Sequence, residues 1–182
     1  MKLIHNFKSP NFNDRKSNNI EIIVIHYTAL SSISNSLKHL CSKKNKVSSH
    51  YLISQEGKIY SLVSEKKRAW HAGQSYWRGI TDINSTSIGI ELDYSPSETN
   101  NKFSLKLNSS LIFLLKNLLK KYRISSENIL GHSDIAPYRK IDPGKYFPWQ
   151  MLENKKLSYK PQFLIRANIE NRLKKEFFNK NK

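Results

Sequence analysis

Residues 20–27 read IEIIVIHY, a short apolar run in which β-branched side chains predominate. A run of this length and composition is typical of a strand buried at the centre of a sheet. His26 lies at its carboxyl end. Residues 87–92, SIGIEL, form a second strand pattern with Glu91 near its end. Each of these two predicted strands therefore delivers one polar, chemically active side chain to a strand end.

Helical and strand patterns alternate along the rest of the chain. Apolar residues recur at helical spacing over residues 33–41, and Asn108 is predicted to cap an amphipathic helix that reaches about Tyr122. Strand signals at His50–Ser54 and Lys58–Val63 are separated by a short polar turn that contains a glycine, as in a β-hairpin. The alternation predicts an α/β fold with a mixed central β-sheet flanked by helices.

The patterns divide the chain into three segments. Residues 1–19 are polar and aperiodic, which predicts an extended N-terminal arm. Residues 20–158 carry the strand patterns and form the predicted single folded domain. Residues 159–182 form a basic C-terminal tail with an amphipathic helical pattern at Phe163–Phe178.

The formal net charge is +17, from 31 basic and 14 acidic side chains. A charge of this size predicts an anionic partner, such as nucleic acid, a membrane surface or an acidic wall polymer. A composition that is simply rich in lysine explains the same charge equally well. Aromatic side chains cluster at residues 70–77, where basic residues are not concentrated, so no specific nucleic-acid partner is expected.

Composition also bears on the compartment. No run of eighteen apolar residues exists, so we expect no membrane span. The N-terminus has an apolar run of only two residues, too short for a secretory signal, which predicts a cytoplasmic protein; a trimmed sequence would leave a periplasmic location open. The single cysteine, Cys41, excludes an internal disulfide and agrees with a reducing compartment. The oligomeric state stays open.

Residues 131–144 read GHSDIAPYRKIDPG and gather an imidazole, two carboxylates and an ammonium into one segment. Pro137 and Pro143 lie so close together that a regular helix is excluded, which predicts an ordered loop. Loops held on a rigid scaffold often carry binding and catalytic groups. An ordinary solvated turn is the alternative. Asp134 is predicted to hold this loop by hydrogen bonds.

Two histidines at predicted strand ends, His26 and His132, form a candidate metal site with Asp142. Two imidazoles and one carboxylate are a ligand set of catalytic zinc, which keeps a fourth position open. Glu91 has the chemistry of a proton carrier, and Lys140 has that of a positive charge beside an oxyanion. Spacing alone also allows hydrogen-bonded or solvated histidines and a surface carboxylate at Glu91.

These motifs together resemble the zinc-dependent N-acetylmuramoyl-L-alanine amidases of the type 2 family, which are related to bacterial peptidoglycan-recycling amidases. Five pieces carry the resemblance in family order: VIHYTA, SSHYLISQEGKIY, RAWHAG, SIGIEL and GHSDIAPYRKIDPG. They extend over roughly residues 20–150. The resemblance implies the fold that this family shares with peptidoglycan-recognition proteins.

The resemblance also implies the chemistry. His26, His132 and Asp142 would bind one zinc ion per chain, Glu91 would be the acid/base residue, and Lys140 would stabilise the oxyanion. The implied reaction is hydrolysis of the amide between N-acetylmuramic acid and the first L-alanine of the stem peptide, in cell-wall degradation or recycling. The implied partners are peptidoglycan fragments, that is, muropeptides.

Further residues are candidates for substrate binding. Trp70, His71 and Asn84 match positions that line the substrate groove in relatives, and His50 is a candidate because it lies close to the predicted site. Trp70 could equally be a core aromatic side chain, and Asn84 could be a turn residue. His50 could equally support the site from behind.

The sequence departs from the family pattern at two positions, and two alternative functions stay open. Asp82 and Glu56 stand where several relatives carry basic residues, so intact N-acetylmuramic acid stays open as a substrate beside the anhydro form. A non-catalytic peptidoglycan-recognition module is one alternative, and the complete ligand set argues against it. A phage-type endolysin that acts on whole cell walls is the other.

Overall fold

The computed structural model describes residues 2–97 and 102–159, so the helix predicted at Phe163–Phe178 lies outside the described residues. The described strands are β1 (Leu3–Ile4), β2 (Phe12–Asp14), β3 (Ile22–Tyr27), β4 (Tyr51–Ile53), β5 (Ile59–Ser61), β6 (Lys67–Ala69), β7 (Ser87–Leu92) and β8 (Ile129–Gly131). The described α-helices are α1 (Ile33–Cys41), α2 (Ile83–Thr86), α3 (Leu105–Tyr122), α4 (His132–Ile135) and α5 (Trp149–Asn154). None of these helices is long and apolar enough to cross a membrane.

Six strands form one mixed sheet in the order β1-β5-β4-β7-β3-β8, and β2 pairs with β6 in a second, small sheet. The neighbours β4, β7, β3 and β8 run parallel, whereas β5 is antiparallel to β4. The strand predicted at residues 20–27 is β3, which lies between β7 and β8. The predicted mixed central sheet flanked by helices is confirmed.

Alternate residues of β3 pack against different layers. Ile23 and Ile25 belong to the core under α3, whereas Ile22 and Val24 point to the opposite face, which the segment 70–86 covers. This strand is buried on both faces, as its continuous apolar run predicts. The stripe that α3 buries consists of Leu107, Leu111, Leu114, Leu115 and Leu118.

The helix α3 begins one turn earlier than predicted. Its N-cap is Ser104, whose hydroxyl oxygen accepts a hydrogen bond from Leu107 N at 3.1 Å. Asn108, the predicted cap, lies inside the helix and is buried. Serine and asparagine are both favoured N-cap residues, so the sequence pattern does not distinguish Ser104 from Asn108. The buried stripe of the helix already includes Leu107, which precedes the predicted cap.

A short helix, α4, occupies the start of the segment predicted to be a loop throughout. The Asp134 carboxylate accepts a hydrogen bond from Gly131 N at 2.7 Å, which confirms the predicted role of Asp134. Ala136 N donates to His132 O at 2.9 Å and closes the turn. A proline prevents the helix from continuing through it, but one turn can form before Pro137. The prediction of a loop is therefore wrong for α4.

Residues 2–19, the described part of the segment expected to be an N-terminal arm, are paired with the rest of the domain. Within this segment, β1 pairs with β5 and β2 pairs with β6. The Arg15 guanidinium also reaches inward and donates to backbone carbonyls, those of Glu65, Asn84, Ser85 and Ser87. The polar residues and short apolar runs of this segment do not reveal such pairing in the sequence.

Candidate metal centre and active site

Three parallel strands bring the predicted site residues to one edge of the sheet. His26 lies near the end of β3, Glu91 lies near the end of β7, and His132 directly follows β8. Because parallel strands share their carboxyl edge, these side chains converge. Asp142 reaches the same place from the loop after α4, and its carbonyl oxygen accepts a hydrogen bond from Ser133 N at 2.9 Å.

Glycine at position 131 lets that loop return close to the strand end. A Cβ atom on Gly131 would lie 2.6 Å from Pro143 Cδ, so any larger residue would push the loop away. Pro143 directly follows Asp142. The close approach therefore helps to place the Asp142 carboxylate beside the ring of His132.

Three donor atoms meet at the centre of the site. His26 Nδ1 lies 3.0 Å from His132 Nδ1 and 3.0 Å from Asp142 Oδ2, and the last two atoms are 3.1 Å apart. All three residues are buried. Ligands bound at about 2.0–2.1 Å to a tetrahedral zinc lie about 3.3 Å from one another, close to the spacing of this triangle. These residues can therefore hold a metal ion.

The tautomer of His132 follows from its outer contact. Its Nε2 lies 3.0 Å from Ala72 O, which can only accept, so Nε2 carries the proton. In that tautomer the lone pair is on Nδ1. That lone pair points into the triangle of donor atoms.

The tautomer of His26 follows from a longer chain of hydrogen bonds. Ser87 Oγ donates to Ile83 O at 2.6 Å and accepts from His71 Nε2 at 3.2 Å. His71 Nδ1 is then an acceptor, so His26 Nε2 donates to it at 3.1 Å. The lone pair of His26 is therefore on Nδ1, and it too points into the triangle.

The surroundings set protonation states that suit metal binding. Burial, followed by the neighbouring His132, lowers the pKa of His26 to about 4. Burial alone would raise the pKa of Asp142, but its hydrogen bonds with His132 and His26 outweigh burial and hold that pKa well below its ordinary value. At neutral pH the site therefore offers a neutral imidazole at His26 and a carboxylate at Asp142, as metal ligands must be.

The Glu91 carboxyl group lines the site beside the donor atoms. Among residues 2–97 and 102–159, its buried Oε2 atom makes no hydrogen bond. Burial, reinforced by the charge of Asp142 and opposed by Lys140, raises the pKa of Glu91 to about 8. A carboxyl group that titrates near neutral pH can both accept and donate a proton. This environment does not fit a solvated surface carboxylate.

A cavity of about 400 Å³ opens beside the donor atoms. Its wall includes the predicted residues Glu91, Trp70 and Lys140. It also includes Arg139 and Ile141, which the sequence analysis did not single out. Both are adjacent to Lys140 in the GHSDIAPYRKIDPG motif, and this position is the sequence signal that could have identified them as cavity residues.

Two of the predicted substrate-binding residues reach the cavity. Trp70 is half-buried in its wall, and Trp70 Nε1 donates to Asn13 Oδ1 at 2.5 Å. His71 also borders the cavity, but it is buried and both of its ring nitrogens are engaged, with His26 and Ser87. Trp70 is thus placed to contact a ligand, whereas His71 faces the metal ligands.

The other two predicted residues lie behind the cavity. His50 is buried, and its Nδ1 accepts a hydrogen bond from Gly89 N at 3.0 Å. Asn84 is buried, and its Oδ1 accepts from the backbone of residues 71 and 72. In the described part of the chain, neither residue belongs to the cavity wall.

The sequence pattern of N-acetylmuramoyl-L-alanine amidases matches residues 16–145. The chain belongs to this amidase family. The matched range contains the three donor residues, Glu91 and Lys140. The family membership expected from the sequence motifs is confirmed.

Two members of the amidase family show how far the similarity extends. N-acetylmuramoyl-L-alanine amidase AmiD of Escherichia coli (strain K12) is 43% identical over 146 residues, which cover 73% of this chain and 52% of AmiD. The 1,6-anhydro-N-acetylmuramyl-L-alanine amidase AmpD of Haemophilus influenzae is 42% identical over 106 residues, which cover 58% of this chain and 56% of AmpD. The chain thus spans about half the length of these relatives.

A solved structure from the amidase family shares the fold. It is the complex of E. coli AmiD with the substrate anhydro-N-acetylmuramic acid-L-Ala-D-gamma-Glu-L-Lys. Its TM-score with this chain is 0.73 at 38% sequence identity, and the match covers 84% of this chain and 64% of that one. The mixed sheet with helices on its faces is therefore the fold of the family.

Proposed function

We propose that the protein is a zinc-dependent hydrolase of the amide bond between N-acetylmuramic acid and L-alanine of the peptidoglycan stem peptide. One observation carries the proposal: donor atoms of His26, His132 and Asp142 converge at an open cavity beside Glu91, whose buried Oε2 atom makes no hydrogen bond within the described part of the chain. The names of the similar amidases support the choice of bond. The bound substrate in the AmiD complex supports a muropeptide as the partner.

The donor set favours zinc. One ion per chain would be held by the Nδ1 atoms of His26 and His132 and by a carboxylate oxygen of Asp142. Magnesium and calcium prefer oxygen ligands, whereas two imidazoles and one carboxylate suit zinc. When bound, zinc lowers the pKa of water and polarises a carbonyl group.

The remaining steps fall to side chains in the cavity. Glu91 takes the proton of the attacking water and returns it to the leaving amine, and burial raises its pKa above the ordinary carboxyl range, towards the pH at which one group can perform both tasks. Lys140 lines the same cavity, and its positive charge acts on both Glu91 and His26. That charge would stabilise the oxyanion that forms from the scissile carbonyl.

Both forms of the muramic acid are proposed as substrates. The AmpD relative is named for the 1,6-anhydro form, and the AmiD complex contains an anhydro substrate. The sequence resemblance implies a basic residue at position 82 in relatives that prefer the anhydro form, whereas Asp82 Oδ1 here accepts hydrogen bonds from Arg68 at 2.7 and 3.0 Å. This departure removes the reason to restrict the proposal to the anhydro form, and Trp70 in the cavity wall offers a flat apolar contact to either form of the sugar.

Mass spectrometry of two digestions tests the proposal. Anhydro-muropeptide and intact muropeptide are each incubated with the full-length, zinc-loaded protein, with and without a zinc chelator. We expect free stem peptide from both substrates, no release after chelation, and recovery when zinc is restored. Release of stem peptide from only one substrate would show that the protein acts on that form of the sugar alone. No release by protein with confirmed zinc would overturn the proposal and indicate a recognition module.

A further inference from the structure

We propose that Asn84 and the peptide His71–Ala72 form one positioning unit that orients both histidine ligands of the metal site. The inference rests on the proposed function, because it concerns the zinc ligands. It assigns Asn84 and His71 a role behind the metal, in place of the substrate contact implied by the sequence resemblance.

A single amide oxygen holds the peptide. Asn84 Oδ1 accepts hydrogen bonds from His71 N at 3.1 Å and from Ala72 N at 2.8 Å. Asn84 itself sits in α2, and its exposed fraction is only 6%. Two bonds from consecutive N–H groups to one buried acceptor fix both the place and the rotation of this peptide.

The same peptide contacts each histidine ligand once. His71 Nδ1 accepts the Nε2 proton of His26 at 3.1 Å, and Ala72 O accepts the Nε2 proton of His132 at 3.0 Å. The partner of the second ring nitrogen sets the tautomer and orientation of a metal-bound histidine. Two adjacent residues therefore direct both Nδ1 lone pairs towards one point.

The ring of His71 has little freedom to move. A Cβ atom on Gly89 of β7 would lie 2.5 Å from His71 Cγ, so this ring packs directly on the glycine backbone. Ser87 Oγ, on the same face of β7, lies 3.2 Å from His71 Nε2. Glycine at position 89 and serine at position 87 are explained by the same unit, since one leaves room for the ring and the other fixes its tautomer.

Zinc affinity of the purified full-length chain tests this unit. Replacing Asn84 by alanine removes the shared acceptor, and we expect the zinc dissociation constant, measured by competition with a chromogenic chelator, to rise about 10–100-fold. Asn84→Asp keeps an acceptor oxygen at the same place and should restore most of the affinity. Asn108→Ala is the matched control, because Asn108 is comparably buried but lies in α3 on the other face of the sheet.

A second pair of variants addresses the ring. His71→Leu removes the acceptor for His26 Nε2, whereas His71→Gln can supply a side-chain oxygen instead. We expect weaker zinc binding and an altered visible spectrum of the cobalt-substituted protein for His71→Leu, with partial recovery for His71→Gln. Ser87→Ala, a smaller change, should weaken zinc binding several-fold and keeps the test possible should a larger substitution prevent folding.

The outcomes separate this inference from the function on which it rests. Wild-type zinc affinity and cobalt spectra in folded Asn84→Ala and His71→Leu proteins would overturn the positioning unit while leaving the amidase proposal intact. A loss of zinc affinity in Asn108→Ala as large as in Asn84→Ala would also overturn it, because the effect would then be general destabilisation. A wild-type protein that binds no zinc would instead overturn the proposed function itself.

Discussion

At the scale of single residues, the site depends on neighbours across two parallel strands. The register of β3 and β7 places His26 beside Glu91, on strands about 4.8 Å apart. His26 contributes one of the three donor atoms, and the buried Oε2 atom of Glu91 makes no hydrogen bond to any residue that the structure describes. The short spacing therefore brings a candidate metal ligand and a candidate proton carrier to the same cavity.

Glu91→Gln should separate metal binding from catalysis. Glutamine keeps the size of the side chain but cannot carry the proton, so we expect zinc to remain bound and kcat to fall about 10²–10⁴-fold. Zinc content and the release of stem peptide are measured on the same preparation. Turnover close to that of the wild type would rule out Glu91 as the proton carrier.

The same residue should make the stability of the metal-free protein depend on pH. The pKa of Glu91 rises from 4.5 to about 8 on folding, so its favourable contribution is complete below about pH 4.5 and is lost as pH rises through about 8. The loss is on the order of a few kcal/mol. Urea unfolding should therefore show that raising the pH from 5 to 8 lowers the free energy of unfolding of the wild type more than that of Glu91→Gln. An equal change in the free energy of unfolding of both proteins would contradict the raised pKa of Glu91.

At the scale of elements, α3 shows how a local signal sets the start of a helix. Ser104 Oγ accepts from Leu107 N and also donates to Gln55 O at 2.5 Å. The cap therefore also ties α3 to the turn between β4 and β5. The long apolar stripe then holds the helix on the sheet.

Ser104→Ala should destabilise the domain through loss of this cap. We expect the free energy of unfolding to fall by about 1–2 kcal/mol. Leu105→Ala is the control, since Leu105 is 85% exposed and the change should stay within about 0.5 kcal/mol. Both are read from denaturant unfolding. Equal effects of the two substitutions would show that the cap contributes nothing.

At the scale of the whole molecule, the N-terminal segment is part of the domain that carries the site. Arg15 is half-buried, and burial, partly offset by Tyr122 and Glu65, lowers its pKa to about 10. Its guanidinium donates to the carbonyl oxygens of Asn84, Ser85 and Ser87 at 2.9–3.1 Å. Arg15 of the N-terminal segment is therefore hydrogen-bonded both to α2, which carries Asn84, and to β7.

Arg15→Ala should weaken the whole domain. Several buried carbonyl groups would lose a charged donor, so we expect a loss of at least about 2 kcal/mol of unfolding free energy. Lys16→Ala is the matched control, because the Lys16 side chain is 80% exposed and should contribute little. Thermal and urea unfolding measure both. A change for Arg15→Ala no larger than for Lys16→Ala would contradict the structural role of the arm.

Metal removal should also act on the whole molecule. An ion that binds only the folded state stabilises it, so a chelator should lower the Tm of the zinc-loaded wild type. His132→Ala removes one ligand and should bind zinc poorly, lose activity and keep its Tm when chelator is added. A variant that retained stoichiometric zinc would show that His132 is not a ligand.

Prediction from sequence succeeded where the signal was local. The apolar runs of β3 and β7 and the glycine-containing hairpin are visible in short windows, and so are histidines at strand ends. It failed where several local choices were equivalent, as for the cap of α3, or where one helical turn precedes Pro137. The partners of Asn84 and His71 could not be predicted either, because His71 is hydrogen-bonded to His26, 45 positions away in the chain.

The sequence by itself determined the mixed α/β fold, the family and the residues that could bind a metal. The reason is that apolar strand patterns and the GHSDIAPYRKIDPG motif each occupy a short continuous stretch of the chain. Only the tertiary structure decided which lone pairs converge, which buried carboxylate oxygen makes no hydrogen bond among the described residues, and which peptide contacts the histidine rings. Those properties depend on distances between segments far apart in the chain. Folding sets such distances through burial and hydrogen bonding, and no local pattern records them.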